Sequence, residues 1–199
     1  MIQSIARNPL MEGKSALRAT LLESREQQGS EASRDDRNEA LGARLAEVIS
    51  RYPAAQCIAL YWPLAGEFDA RKVLAQWLSA SASRIAALPV VNAPREPLVF
   101  HAWQPDASVK KGRYGIPVPE EERIVMPDVL LIPCVGFDTT RYRLGYGGGY
   151  YDRTLAFWPD HAHAPVTIGV AYESGKCDAL PREAHDIPLD VVVTEAAIY

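Results

Sequence analysis

Val129-Leu130-Leu131-Ile132-Pro133 is the most strand-like stretch of the chain, almost continuous in apolar side chains. Such a run reads as a strand buried on both faces, the mark of a parallel sheet covered by helices on either side. Working outward, Cys57-Ile58-Ala59-Leu60-Tyr61 and Ile85-Ala86-Ala87-Leu88-Pro89-Val90-Val91 are two further compact apolar runs. Between them Asp69 stands ahead of Val73, Leu74, Trp77 and Leu78, the spacing of an amphipathic helix with an acidic cap, so residues 57–91 predict a βαβ unit. Leu98 to Trp103 alternates and reads as an antiparallel or edge strand, and the Pro- and Gly-rich residues 110–127 as a surface loop. Thr167-Ile168-Gly169-Val170-Ala171 and Val191-Val192-Val193-Thr194 supply the last strands. At the N-terminus, Leu10, Leu17 and Leu21 mark one helix. Leu41, Leu45, Val48 and Ile49 mark a second that stops before Pro53, with Gly29 and Ser30 between the two. The expected fold is a three-layer α/β/α single domain over residues 1–199, Rossmann-like, with a mostly parallel central sheet and residues 1–10 as a tail.

Composition narrows the function. The 21 Lys+Arg against 25 Asp+Glu leave a net charge of −4, which argues against a general nucleic-acid binder, since phosphate-backbone binding relies on a basic surface. Any anion must be held by a local arrangement. No apolar run approaches the roughly 18–20 residues that span a bilayer, and the first residues lack a secretory pattern. Cys57, Cys134 and Cys177 are odd in number and form no C-x-x-C pair, which disfavours a disulfide framework and a zinc site. A cytoplasmic monomer is the expectation.

The most unusual stretch is Arg143-Leu144-Gly145-Tyr146-Gly147-Gly148-Gly149-Tyr150-Tyr151-Asp152-Arg153. Its glycines let backbone N–H groups converge on an anion, and it lies between an expected strand and an expected helix. Arg143 adds a fork suited to phosphate oxygens, and Asp152 an oxygen ligand for a hard cation such as Mg2+. It is neither a Walker loop nor a dinucleotide fingerprint, because no Gly-Lys-Ser/Thr follows and Tyr150 stands at the third glycine position. A flexible glycine turn is the competing reading. By spacing alone, Lys14 and Arg18 read as a solvated helix face, Asp186 as a turn residue before Pro188, and Trp103 equally as core or ligand contact. Cys134 reads as a small buried thiol, and His161-x-His163 as a surface loop.

These residues resemble the R-L-G-x-G-x-G-Y-Y-D-R signature of the 5-formyltetrahydrofolate cyclo-ligases. The likeness extends to Lys14-x-x-Leu17-Arg18, to Glu67-Phe68-Asp69 after Tyr61-Trp62-Pro63, and to Gly115-Ile116-Pro117-x-Pro119. It ends with Leu180-Pro181-x-Glu183-x-His185-Asp186 and Val192-Val193-Thr194-Glu195, all in the family's order. Two departures are Arg141, where the family commonly has glycine, and the Pro117-Val118 pair in the Gly-Ile segment.

The resemblance implies an ATP- and Mg2+-dependent closure of 5-formyltetrahydrofolate to 5,10-methenyltetrahydrofolate, with release of ADP and phosphate. It assigns Lys14 and Arg143 as catalytic. ATP contacts would come from Lys14, Arg18, Arg143, Leu144, Gly145, Tyr146, Gly147, Gly148, Gly149, Tyr150 and Tyr151, and Mg2+ ligands from Asp152 and Asp186. Trp62, Glu67, Trp103, Tyr150 and Tyr151 would face the folate, polyglutamylated or not. Two other readings compete: a silent folate- or nucleotide-binding regulator, and an α/β enzyme acting on a sugar phosphate or CoA ester.

Overall fold

The computed structural model describes residues 9–26, 31–64, 66–158 and 164–199, with side chains in the first two helices described from Gly13 and Ser33 onward. Helices α1 (Pro9–Glu26) and α2 (Glu31–Ser50) follow the leucine spacing. Proline suits a first helical position, where its missing N–H has no partner to lose, so the helix takes in Pro9 and Leu10 of the expected tail. The rest of that tail, the Gly29–Ser30 break and His161-x-His163 lie outside the described residues.

The chain then lays down β1 (Cys57–Ala59), α3 (Arg71–Ser79), β2 (Ile85–Val90) and β3 (Val99–Trp103). Next come β4 (Val109–Lys111), β5 (Pro117–Pro119), β6 (Val129–Pro133), β7 (Gly136–Asp138), β8 (Arg143–Leu144) and α4 (Tyr150–Ala156). β9 (Val166–Val170), β10 (Lys176–Cys177) and β11 (Val191–Val193) complete it. The main sheet has six strands in the order β11-β9-β6-β1-β2-β3. Every pairing in it is parallel except β2 with β3.

Alternation along β6 divides the core. Val129 and Leu131 join Ile58, Leu60, Leu45 and Leu74 under α2 and α3. Leu130 and Ile132 join Ala59, Phe137 and Trp158 on the other face, against which Leu155 of α4 packs. The fold is thus the expected α/β class with helices on both sides of the sheet. Asp128 ties the strand starts together by accepting the N–H groups of Gln56 and Cys57, both at 2.8 Å.

Two local expectations change. Residues 110–127 are not a plain loop: β4 and β5 form a two-stranded antiparallel ribbon, and Ile124 bridges to His101. Three-residue strands containing Pro117 and Pro119 carry too little alternation to be read, and proline is tolerated because this ribbon has open edges. Asp69 does not cap α3 from the N-cap position, which Ala70 occupies in helical conformation. Its carboxylate instead accepts the Arg71 N–H at 3.0 Å and pairs with the Arg71 guanidinium at 2.6 Å.

From β1 the chain builds toward β2 and β3 on one side, and from β6 toward β9 and β11 on the other. The crevice between β1 and β6, at their carboxyl ends, is therefore a topological switch point, where open α/β sheets bind ligands. Beyond β6 the chain turns through the β7–β8 hairpin, flanked by β10, and this small sheet delivers the glycine-rich stretch to that end.

Candidate active site

Helix α1 lies against the glycine loop. Arg18 donates from Nε to the Gly145 carbonyl at 2.6 Å, and its guanidinium passes within 3.4 Å of where a Cβ on Gly147 would sit. Gly147 and Gly149 have φ of 91° and 63°, so glycine is required here by conformation as well as by space. Arg153 donates to the Gly148 carbonyl and stacks on the Tyr150 ring, closing the far side of the loop.

Two cations, Lys14 and Arg143, form ion pairs beside the loop. Lys14 Nζ lies 2.6 Å from Asp186 Oδ2 and 3.1 Å from Glu183 Oε2, and the Glu183 N–H donates to Asp186 at 2.7 Å. Arg143 Nη2 lies 3.0 Å from Asp152 Oδ1, while Nη1 donates to the Ile187 carbonyl at 3.2 Å. The Ile187 N–H reaches Asp152 at 3.4 Å, so the segment 183–187 joins both pairs. Among the described residues, Glu183, His185 and Asp186 offer ligand atoms within 4.8 Å of one another. Carboxylate oxygens dominate that donor set, and Asp152 is tied to the same segment, so the residues fit a hard divalent cation.

Buried Asp138 holds the frame behind them. It accepts from the Thr140 hydroxyl at 2.5 Å, Arg182 at 2.9 Å and the Leu180 N–H at 3.2 Å. Burial works against its charge, yet these bonds together hold its carboxyl below the usual range. Beside it, Arg141 sits at φ 65° and donates from Nε to the Leu189 carbonyl at 3.0 Å. The position where the family commonly has glycine is thus left-handed backbone, and this chain offsets the strain with a side-chain bond.

At the switch point lies a small cavity of about 10 Å³, lined by Arg25, Tyr61, Glu67, Cys134 and Tyr172 among others. Burial pushes the Glu67 carboxyl up, an effect the Leu64 N–H, Tyr146 and Arg25 partly offset. Burial also pushes the Cys134 thiol up to about 12, consistent with an inert core cysteine. Tyr150 and Tyr151 pack on the α4 side of the sheet, and Tyr150 hydrogen-bonds Tyr114 at 2.7 Å.

The structure does not bring Trp103 to this site. It is 4% exposed, opposite Ala86 on the α2–α3 face, where it packs as core. Trp62 packs on that same core, with the Arg71 guanidinium 4.5 Å above its ring. Arg25 was missed. A signal existed, since Arg25 follows Arg18 by seven positions on α1, two helical turns along the same face.

The sheet and loop define a three-layer α/β protein that brings cationic side chains and a glycine-rich loop to the carboxyl ends of its strands. Residues 10–195 match the model of the 5-formyltetrahydrofolate cyclo-ligase family. The 5-formyltetrahydrofolate cyclo-ligase of Escherichia coli K12 is 32% identical over 173 residues, 82% of this chain and 93% of that protein. That of Haemophilus influenzae is 35% identical over 147 residues, 70% of this chain and 76% of its own. The NMR structure of Aquifex aeolicus 5,10-methenyltetrahydrofolate synthetase superposes with a TM-score of 0.75 at 32% identity, covering 93% of this chain and 91% of that one. The chain belongs to the 5-formyltetrahydrofolate cyclo-ligase family, and so to the ligases of folate metabolism. Among the described residues, no helix is long and apolar enough to cross a membrane.

Proposed function

We propose that this chain closes 5-formyltetrahydrofolate to 5,10-methenyltetrahydrofolate at the expense of ATP. The observation that carries the reading is that Arg18 holds the glycine loop while Lys14 and Arg143 pair with Asp186 and Asp152, which the segment 183–187 ties together, in a member of this family. The formyl oxygen attacks the γ-phosphorus of ATP as the bond to the β-phosphate oxygen breaks, releasing ADP. Folate N10 then attacks the activated carbon, loses its proton, and expels phosphate. Both nucleophiles belong to the substrate, so the protein's share is positioning and charge stabilisation.

Lys14 and Arg143 act as the catalytic cations, offsetting charge on the transferred phosphoryl group. Arg18 and the backbone from Leu144 to Tyr151 cradle the triphosphate. Asp152 and Asp186 would hold Mg2+, which neutralises phosphate charge when bound. Lys14 and Arg143, now paired with these carboxylates, would turn toward the phosphates. Glu67 faces the folate in the cavity at the switch point, and Tyr150 and Tyr151 border the folate from the loop. The six strands of one sheet come from residues 57 to 193, which supports a single working domain.

The test mixes the purified chain with 5-formyltetrahydrofolate, Mg2+ and ATP and follows the near-ultraviolet absorbance of the methenyl product together with ADP. An ATP-dependent rise is expected. Binding without turnover would favour the silent regulator and refute the proposal.

A further inference from the structure

The turn that joins β7 to β8 grips the carboxylate segment of the site at both ends. At one end Asp138 accepts the Leu180 N–H at 3.2 Å and Arg182 at 2.9 Å, and Arg182 also donates to the Thr140 hydroxyl at 2.6 Å. At the other end Arg141 and Leu189 exchange two bonds. The Leu189 N–H donates to the Arg141 carbonyl at 3.0 Å, and Arg141 Nε donates to the Leu189 carbonyl at 3.0 Å. Residues 181–189 form neither helix nor strand, so these end ties, with the contacts of Lys14 and Arg143, set where Glu183 and Asp186 lie.

Arg141 is unexpected on local grounds. Its φ of 65° is left-handed backbone, which glycine adopts freely and a residue with a Cβ does not, and the residue is exposed. Such a conformation persists where surrounding contacts over-determine it. Here those contacts are the Asp138 carbonyl, which accepts the Arg141 N–H at 2.9 Å, and the two bonds to buried Leu189. We infer that Arg141 is a positioning residue: by holding Leu189 it keeps the segment 183–187, and with it Asp186, in place when Lys14 and Arg143 leave their carboxylates. This rests on the proposed function, in which both cations turn to the phosphates. The segment then loses the Lys14 pairs and the Arg143 bond to the Ile187 carbonyl. The grip of the turn on Leu180, Arg182 and Leu189 involves neither cation and remains. Glycine at 141 would keep the backbone bond from Leu189 and lose the one from Nε, so the side chain supplies one of the two bonds at that end.

Substitutions at 141 separate the bond from the backbone. Arg141→Gly removes the donor and relieves the left-handed backbone, so its melting point is expected to stay within about 4 °C of the unaltered protein. Arg141→Gln places an amide N–H as many bonds from Cα as Arg Nε, restoring the donor without the charge. Calorimetry reads the dissociation constant of ADP in the presence of Mg2+, and hydrogen exchange reads the amides of 183–187 in that complex. Arg141→Gly is expected to weaken ADP binding by about fivefold to tenfold, the scale of one hydrogen bond, and to speed exchange by a similar factor. KM for 5-formyltetrahydrofolate is expected to stay within about twofold, and Arg141→Gln to recover the binding. Arg141→Asn, which tolerates left-handed backbone but is too short to reach Leu189, replaces the glycine variant if that one does not fold. Unchanged ADP binding without the donor, or a loss that Arg141→Gln does not recover, overturns the inference. So does a rise in both KM values with a lowered melting point, which is general destabilisation. An unaltered protein without ATP-dependent turnover refutes the proposed function itself, whereas normal turnover with unchanged ADP binding in the glycine variant refutes only the role of Arg141.

Discussion

Lys14 on the first helix and Asp186 near the C-terminus meet at 2.6 Å, although 172 positions separate them. Glu183 lies beside them, so one ammonium group compensates two partly buried carboxylates. The same contact joins α1 to the segment that reaches Arg143 and Asp152 through Ile187. One side chain thus closes the fold here and, on the proposed function, also holds charge near the phosphates.

Lys14→Met is therefore expected to lower kcat/KM by about a hundredfold or more, the scale seen on removing a charge-stabilising group. It also leaves Asp186 and Glu183 without their cation, which costs on the order of 1–3 kcal/mol of stability. Steady-state kinetics beside a denaturant melt reads both. Retained turnover removes Lys14 from catalysis.

Arg143 serves Asp152, the Ile187 carbonyl and the Tyr151 ring at once. Arg143→Lys keeps the charge but not the fork, so it is expected to behave nearly as badly as Arg143→Ala. A double-mutant cycle with Asp152→Asn is expected to give a coupling of about 1–3 kcal/mol in stability. Additive effects would mean that the pair is incidental.

Asp138 predicts a pH dependence. Its folded pKa is depressed, so its stabilisation is present above its unfolded value of about 3.9 and is lost as pH falls through the lower folded value. Asp138→Asn is expected to cost about 2–3 kcal/mol at pH 7 by leaving Arg182 and several N–H donors poorly matched. Melts from pH 7 down to about 3 should show the gap narrowing in the acid limb. A gap independent of pH would mean that the carboxylate charge contributes nothing.

Gly145 and Gly147 give a matched contrast. A Cβ on Gly145 meets nothing within 4 Å, whereas Gly147 is left-handed and faces the Arg18 guanidinium. Gly147→Ala is expected to cost about 1–2 kcal/mol and to raise KM for ATP, because it strains the loop and displaces Arg18. Gly145→Ala should stay within about 0.5 kcal/mol. Equal melting points for the two variants would contradict this account of the loop.

The short ribbon of β4 and β5 was hidden in the sequence, because three-residue strands bearing prolines lack a readable period. Trp103 was ambiguous for another reason: an aromatic side chain fits a core or a ligand equally well, and only the pairing of β3 with β2 decides which face it takes. Arg25 was legible in spacing but not in placement, since nothing local shows that it and Glu67 line one cavity.

By itself the sequence determined the α/β class, the parallel core strands, the glycine loop and the family. These depend on periodicity, on φ-permissive residues and on ordered motifs, all of which are properties of neighbouring positions. Tertiary structure alone decided that Lys14 pairs with Asp186, that Asp152 pairs with Arg143, and that Arg25 and Glu67 share a cavity. The physical reason is the order of the sheet: the chain's change of building direction between β1 and β6 opens a crevice at their ends, where residues as distant in sequence as Arg25, Glu67 and Tyr172 meet.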